Sequence, residues 1–248
     1  MRKETLYVFT SLVSICFFIL TACTPSHHKD TGNHAVKLVM EDQYTLVSEK
    51  HYVRDYPPLD ASGNINVVVE IPGGTSDKWE VEKSTGALAW EFREGKPRVV
   101  QYLGYPGNYG MIPRTLLPEE LGGDGDPLDV IIIGPVVPRG SIVSARPIGI
   151  LKLLDNGEQD DKIIAVSLNS QLGNIFTLEE LNHKFTGVTE IIKIWFSNYK
   201  GPKRMESKGF GSVNEAQAVI KTAIEAYQSK LSVAAQQNAP ADTDKQGH

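Results

Sequence analysis

The sequence predicts an α+β fold in which a small β-barrel is followed by C-terminal helices that pack against its outside. Seven β-rich segments, most of them short and bounded by Gly or Pro, fall between residues 66 and 168. Many short strands of this kind are typical of a barrel. Beyond residue 168 the apolar residues recur with the period of a helix. The 248 residues, 41% of them hydrophobic, suffice for one globular domain with extensions.

The strands are predicted where β-branched residues alternate or run together between turn residues. The valine-rich segment 66–71 stops at Pro72-Gly73-Gly74, and the alternating segment 78–82 stops before a turn at 85–87. Pro147 and Gly149 interrupt the longest segment. The predicted strands cover 66–71, 78–82, 88–92, 98–103, 128–133, 141–154 and, as the last strand, 163–168, with a loop at 104–110.

Two capping boxes predict helix starts. Thr177 precedes Glu180 and Ser212 precedes Glu215, each by three residues, so the side chains of each box can satisfy backbone N–H groups at a helix N-terminus. Apolar stripes with helical spacing follow and indicate faces that pack on the barrel. The stripes are Ile192, Trp195, Phe196, Tyr199 and Ala216, Ile220, Ala223, Tyr227, Leu231.

Residues 1–22 are predicted to be a lipoprotein-type signal peptide rather than part of the fold. Arg2 and Lys3 precede an apolar run at 6–20, and Leu20-Thr21-Ala22-Cys23 resembles the lipobox of bacterial lipoproteins. Cys23 would then carry a lipid and hold the protein to a membrane, facing the periplasm or the cell exterior. An uncleaved anchor is the alternative, although the run is slightly short of the roughly 20 apolar residues of a spanning helix.

Composition sets the remaining bounds and excludes several classes of function. Residues 23–40 are predicted as a polar tether, 41–231 as the folded domain and 232–248 as a disordered tail. Cys16 and Cys23 are the only cysteines, so the domain has no disulfide framework, no cysteine-bound zinc and no cysteine nucleophile. The formal net charge of -5 makes the chain a poor generic binder of nucleic acid.

The loop at residues 122–130 carries the strongest signal for chemistry. Asp124, Asp126 and Asp129 stand within six residues, directly before a buried-strand run. Three carboxylates this close repel one another unless a hard divalent cation such as Mg²⁺ neutralises them. An EF-hand is excluded because Leu128 and Asp129 occupy the fifth and sixth loop positions. On these residues alone, a plain solvated turn remains open.

Further acids, cations and tyrosines stand at strand ends and turns. Taken singly, they are explained as exposed strand charges, core tyrosines, a solvated hairpin tip and a cation at a helix C-terminus. Taken together, they supply acids for several divalent ions and donors for phosphate oxygens, the set that phosphoryl transfer to water requires. These residues are Glu70, Lys78, Glu80, Arg93, Tyr105, Tyr109, Asp155, Asp160, Lys162, Tyr199 and Lys200.

The combined pattern resembles family I of the soluble, metal-dependent inorganic pyrophosphatases. The segment Asp124-Gly-Asp-Pro-Leu-Asp129-Val resembles the family signature, and the resemblance covers about 67–227. Asn156 and Trp79 depart from common bacterial residues, and residues 118–121 lengthen the loop before the signature. The other matching pieces, in the expected order, are Val-Glu70-Ile-Pro, Lys78-Trp-Glu80, Gly86-Ala-Leu, Tyr105-Pro-Gly-Asn-Tyr109-Gly, Arg146-Pro-Ile-Gly-Ile-Leu, the turn 155–162 and Asn-Tyr199-Lys200.

The resemblance implies a five-stranded OB-like barrel with additional strands and helices outside and the active site in its mouth. It implies that Asp126 is the general base and that Glu80, Tyr105 and Lys162 support the site. Several Mg²⁺ ions would be held by Asp124, Asp129, Asp155, Asp160 and Glu70. The substrate would be bound by Lys78, Arg93, Tyr109, Tyr199 and Lys200.

The implied reaction is hydrolysis of inorganic pyrophosphate to two phosphates by a metal-bound water that gives a proton to Asp126. A homo-oligomer is also implied, although the longer loop at 118–121 leaves the subunit contacts open. Three alternatives remain at this point. They are a non-catalytic lipoprotein that binds metal or anions, a hydrolase of nucleotides or polyphosphate on the same scaffold, and a nucleic-acid-binding barrel, which the charge disfavours.

Overall fold

The computed structural model describes residues 33–34, 36–117, 123 and 125–237. Signal residues 1–22, Cys23 and Asp124 therefore lie outside the described residues. The strands described are β1 Asn33–His34, β2 Leu38–Asp42, β3 Thr45–Ser48, β4 Ile65–Ile71, β5 Trp79–Val81, β6 Leu88–Trp90, β7 Phe92–Arg93, β8 Lys96–Pro97, β9 Asn108–Met111, β10 Asp129–Ile133, β11 Ile142–Asp155, β12 Glu158–Gln159, β13 Lys162–Ser167 and β14 Met205–Gly211. The helices described are α1 Leu178–Lys184, α2 Val188–Asn198 and α3 Val213–Gln237.

Five of the described strands close into a barrel in the order β4, β9, β10, β13, β11 and back to β4. The ring closes because β11 is long enough to pair with β4 through its first residues and with β13 further along. β10 and β13 run parallel, whereas the other neighbours in the ring are antiparallel. The α+β class and the five-stranded OB-like barrel are therefore confirmed.

A bulge lets β11 follow the curve of the barrel. The register with β13 shifts between Pro147 and Gly149, where a residue without a backbone N–H and one without a side chain interrupt the regular ladder. A Cβ at Gly149 would lie 2.3 Å from the Leu178 side chain, so this glycine also lets α1 approach the barrel closely.

The helices cover two sides of the barrel. Leu181 of α1 and Trp195 and Phe196 of α2 share one apolar core with barrel residues such as Ile164. Ala216, Ile220 and Ala223 of α3 share a second apolar core with barrel residues such as Val130 and Ala165. The predicted stripes are thus confirmed except at Leu231, which is 52% exposed. Among the described residues, no helix combines the length and apolarity needed to cross a bilayer.

Both capping boxes form, with one difference. The Ser212 hydroxyl accepts from the Glu215 N–H at 3.3 Å and the Glu215 carboxylate accepts from the Ser212 N–H at 2.8 Å, as in a reciprocal box. Thr177 caps α1 by accepting from the Glu180 N–H at 3.2 Å. The Glu180 carboxylate, however, accepts from the N–H of Phe176, one residue before the cap.

Five predictions of local structure were wrong. The segment 98–103 is not a strand, because the chain bends at 101–103 and Val99 makes a single bridge to Asp77. β9 lies in the predicted loop 104–110, and β14 follows the strand predicted as last. β1 and β2 begin inside the predicted tether 23–40, and α3 continues to Gln237, inside the predicted tail 232–248. The end of α3 is rich in Ala and Gln, which favour helix despite their low hydrophobicity.

Candidate active site

A cavity of about 530 Å³ lies between the barrel mouth and the hairpin formed by β5 and β6. Strand ends supply its charged lining, because the residues that start or end barrel strands meet at the same edge. The charged and tyrosine residues lining it are Glu70, Lys78, Glu80, Glu82, Lys83, Glu91, Arg98, Tyr109, Asp126, Asp129, Asp160, Asp161, Lys162, Tyr199 and Lys200.

One side of the cavity, here called the acid wall, consists of Asp129, Asp160 and Lys162. The parallel pairing sets Val130 opposite Ile163, which brings the preceding residues, Asp129 and Lys162, to the same edge. The Lys162 Nζ atom lies 2.5 Å from Asp129 Oδ2 and 2.6 Å from Asp160 Oδ1. Lys162 is 2% exposed, so a single buried cation is shared by two carboxylates.

The acid wall keeps an excess of negative charge. Burial alone would raise the pKa of Asp129, but the attraction of Lys162 and Lys78 holds it below its usual value. Asp160 Oδ2 is buried and has no hydrogen-bond partner among the described residues, and Lys200 Nζ lies 3.6 Å from it. Such an oxygen fits a bound cation better than it fits a closed polar network.

The second side of the cavity, here called the cation wall, consists of Lys78, Glu91 and Arg98. Backbone hydrogen bonds join all three residues, from Glu91 N to Lys78 O, from Arg98 N to Glu91 O and from Lys78 N to Arg98 O. Lys78 Nζ lies 2.6 Å from Glu80 Oε1 and 5.2 Å from the centre of the Tyr109 ring. Each cation of this wall therefore has a carboxylate of its own.

Glu70 reaches the cavity because β4 bulges at this position. The register between β4 and β9 shifts between Val69 and Ile71, and a bulge of this kind re-aims the side chain within it. The Glu70 side chain is buried and accepts from the Val81 N–H at 2.8 Å. Burial raises the pKa of Glu70 to about 8, although Lys78 and the Val81 N–H act in the opposite direction.

Asp155, the last residue of β11, lies in a different environment from the one predicted. Asp155 does not belong to the described cavity lining. Its Oδ2 lies 2.6 Å from Lys200 Nζ, and its Oδ1 lies 3.2 Å from Arg204 Nε. These cations hold the pKa of Asp155 below its usual value, although burial opposes them. Asp155 is linked to the acid wall through Lys200, which also approaches Asp160.

The predicted tyrosines form one aromatic cluster. Tyr105 is 2% exposed and lies between Tyr109 and Trp195, at ring-centre distances of 5.1 and 4.4 Å. Tyr199 stacks on Trp195 at 4.6 Å and reaches the cavity, as does Tyr109. Burial first, and then the charge of Asp129, raise the pKa of Tyr109 well above its usual value, so its hydroxyl remains a hydrogen-bond donor.

The structure does not support the placement of Arg93 at the site. Arg93 is exposed on β7, in the ribbon that β7 makes with β8, and does not belong to the described cavity lining. Arg98, which the prediction missed, lines the cavity with a half-buried side chain. The backbone hydrogen bond between Lys78 and Arg98 holds Arg98 beside the cavity. The sequence did not indicate this contact, because residues 98–103 were predicted to form a strand of the barrel.

Asp126 lines the cavity and pairs with Lys83, a residue of the β5–β6 hairpin that the prediction also missed. Asp124 lies outside the described residues. No group of three or more His, Cys, Asp or Glu residues in the described part of the chain has the spacing of a complete metal site. The acid wall thus supplies two of the predicted ligands, Asp129 and Asp160, and Glu70 lines the same cavity.

Comparison with known proteins supports the family resemblance found in the sequence. The family model described as inorganic pyrophosphatase matches residues 67–228. The inorganic pyrophosphatase of Gluconobacter oxydans is 37% identical over 178 residues, which span 68% of this chain and 95% of that protein. That of Xanthomonas axonopodis pv. citri is 34% identical over 171 residues, spanning 66% and 90%.

Solved structures agree with the sequence relatives. The inorganic pyrophosphatase from Helicobacter pylori superposes with a TM-score of 0.60 at 30% identity, covering 71% of this chain and 99% of that one. The type I inorganic pyrophosphatase from Toxoplasma gondii gives a TM-score of 0.70 at 25% identity, covering 79% and 99%. The chain belongs to the inorganic pyrophosphatase family.

Proposed function

We propose that this pyrophosphatase hydrolyses inorganic pyrophosphate in the 530 Å³ cavity, with Mg²⁺ ions against the acid wall and the phosphates against the cation wall. The observation that carries the proposal is the meeting of Asp129 and Asp160 with Lys78, Arg98 and Lys200 around one cavity. Clustered carboxylates suit hard divalent cations, and Lys, Arg and Tyr donors suit phosphate oxygens.

The residues present fit a divalent cation. Lys162 offsets one of the two negative charges of Asp129 and Asp160, which leaves a net negative site. Asp160 Oδ2, buried without a hydrogen bond to a described residue, provides an oxygen for an ion. Asp124 and Glu70 are proposed as further ligands. Asp155 fits this role less directly, because Lys200 and Arg204 already engage both of its oxygens.

When bound, Mg²⁺ ions lower the pKa of a water and offset charge on the phosphates. We assign the proton acceptor to Asp126, a half-exposed carboxylate of the cavity that Lys83 holds. Arg98 and Lys78 donate to the oxygens of the departing phosphate, and their charges stabilise it as it leaves. Tyr199 and Lys200, which line the same cavity, donate to the oxygens of the other phosphate.

An Asp126→Asn substitution tests the proposed base. We expect the variant to fold and to bind Mg²⁺ normally but to lose about 100-fold or more in kcat, because a positioned base contributes on this scale. Asp42→Asn, on the exposed strand β2, is the matched control and is expected to keep full activity. Near-normal turnover of Asp126→Asn would remove the base assignment.

A substrate panel tests the reaction itself. Phosphate release from pyrophosphate, ATP and tripolyphosphate, with Mg²⁺ and with chelator, separates three cases. Release from pyrophosphate alone, abolished by chelator, supports the proposal. Equal release from ATP or tripolyphosphate indicates a broader phosphoanhydride hydrolase, and no release indicates a binding protein.

We also propose that the enzyme is exported and held to a membrane by a lipid on Cys23. The support is the sequence of residues 20–23 and the basic start before the apolar run. Cell fractionation should find the protein with membranes, and Cys23→Ser should release it. Recovery of the unaltered protein in the cytosol would reject this placement.

A further inference from the structure

The guanidinium of Arg98 is held by a single neighbour, Glu91, in the described part of the chain. Arg98 Nη1 lies 2.8 Å from Glu91 Oε1 and 2.7 Å from Glu91 Oε2. Nε and Nη2 make no hydrogen bond to a described residue. The pair therefore uses one of the three guanidinium nitrogens and leaves two with N–H groups for a ligand.

The backbone around this pair is also fixed. Arg98 O accepts from Lys78 N at 3.0 Å and from the indole Nε1 of Trp90 at 2.8 Å. Glu91 N donates to Lys78 O at 2.8 Å, and Arg98 N donates to Glu91 O at 2.7 Å. Because these hydrogen bonds fix the backbone, the side chains of Arg98 and Glu91 can move only by rotation about their own side-chain bonds.

Those torsions are what Glu91 restricts. The side chains of Arg98 and Glu91 are 21% and 27% exposed, so the pair is partly shielded from water and from salt. An unpaired arginine has several rotatable bonds, and fixing them at the moment of substrate binding costs free energy. It would also be attracted to the carboxylates of the acid wall across the cavity, where it would compete with a cation.

We propose that Glu91 is a positioning residue that fixes the Arg98 guanidinium, so that its remaining N–H groups donate to a phosphate of the substrate. This inference rests on the proposed contact between Arg98 and the substrate. Glu91 itself touches no reacting atom. A carboxylate next to an anion-binding arginine weakens anion binding by its charge, so its benefit lies in geometry.

A double-mutant cycle tests the proposal. In the unaltered background, we expect Glu91→Ala to lower kcat/KM for pyrophosphate about tenfold, because a mispositioned donor loses part of its transition-state contact. Glu91→Gln keeps an acceptor for Nη1 and should lose less, about threefold. In the Arg98→Gln background, both Glu91 substitutions should change kcat/KM less than about twofold, since there is no guanidinium left to position.

Thermal unfolding and Mg²⁺ titration of each variant distinguish positioning from loss of structure, and Glu91→Gln serves if Glu91→Ala folds poorly. Glu190→Ala, which breaks an exposed pair with Lys193 on α2, is the matched control and should be silent. Equal losses from Glu91→Ala in both backgrounds, or no loss in the unaltered one, would overturn the inference. If Arg98→Gln alone kept full activity, the proposed contact itself would fail, and the inference with it.

Discussion

The acid wall and the cation wall both combine carboxylates with cations, but in opposite proportions. In the acid wall two carboxylates share the one buried cation Lys162. In the cation wall Lys78 has Glu80, with Glu70 also close enough to act on its charge, and Arg98 has Glu91. The first arrangement leaves negative charge for a metal ion. The second neutralises each cation while leaving its other N–H groups for phosphate.

The two walls also differ in how they are built. Asp129 and Lys162 of the acid wall begin β10 and β13, and Asp160 lies just before β13. These two barrel strands have a register that is fixed over several residue pairs. The cation wall comes from β5 to β8 and the irregular segment after them, where each strand has two or three residues. Ion placement therefore depends on the barrel core, whereas phosphate contacts depend on a small number of local hydrogen bonds.

The largest expected effect concerns the shared cation of the acid wall. Lys162→Met would leave Asp129 and Asp160 as neighbouring buried carboxylates without their partner. Breaking a buried pair in this way costs roughly 3–5 kcal/mol, so we expect the metal-free variant to unfold far more readily in denaturant. Because Mg²⁺ can replace the lost charge, added Mg²⁺ should restore much of the stability.

Lys193→Met, which removes an exposed cation from α2, is the control and should cost less than about 1 kcal/mol. If Lys162→Met were as stable as the unaltered protein in chelator, the acid wall would not carry the excess charge inferred here.

The next largest effect is the difference in activity between variants of Arg98 and Arg93. Arg98→Gln should lower kcat/KM for pyrophosphate about 100-fold, because it removes charged donors to the departing phosphate. Arg93→Gln, five residues earlier on the exposed β7–β8 ribbon, should change it less than about twofold. Steady-state kinetics on both variants compares them directly. A large loss from Arg93→Gln with none from Arg98→Gln would reverse the assignment.

The smallest effect concerns Glu70, which lies between the walls. Its pKa is about 8 in the folded protein, against 4.5 for the unperturbed group. The folded state therefore binds this proton more tightly, and stability without metal falls as pH rises from 4.5 to 8, then levels off. Glu70→Gln keeps an acceptor for the Val81 N–H but has no titrating proton, so it should remove this fall.

Denaturant unfolding in chelator at pH 5, 6.5 and 8 measures that difference. Parallel curves for Glu70→Gln and the unaltered protein would show that the buried carboxyl does not govern the pH dependence.

The sequence predicted the acid wall better than the cation wall for a physical reason. Asp129 and Lys162 stand at the starts of apolar strands, so strand pattern alone places them at an edge of the sheet. Arg98 reaches the cavity because its backbone carbonyl accepts a hydrogen bond from Lys78 N outside any regular strand pairing. Such a contact produces no periodic pattern of apolar residues in the sequence. The sequence pattern therefore favours Arg93, which stands next to a predicted strand, over Arg98.

The same distinction holds for the fold. The barrel strands β4, β10, β11 and β13 were predicted because they are long and apolar. β14 was missed because Gly209 and Gly211 and its charged residues give it no alternating pattern, and its place is set by pairing with β11. The short β9 was missed for a similar reason, since Asn108 and Gly110 are usually turn residues.

The most direct test of the central claim is a crystal structure of the enzyme soaked with Mn²⁺, in which anomalous scattering locates the metal. We expect at least one strong peak within bonding distance of both the Asp129 and Asp160 carboxylates, on the cavity side of Lys162. A cavity without such a peak, or metal bound away from both carboxylates, would contradict it.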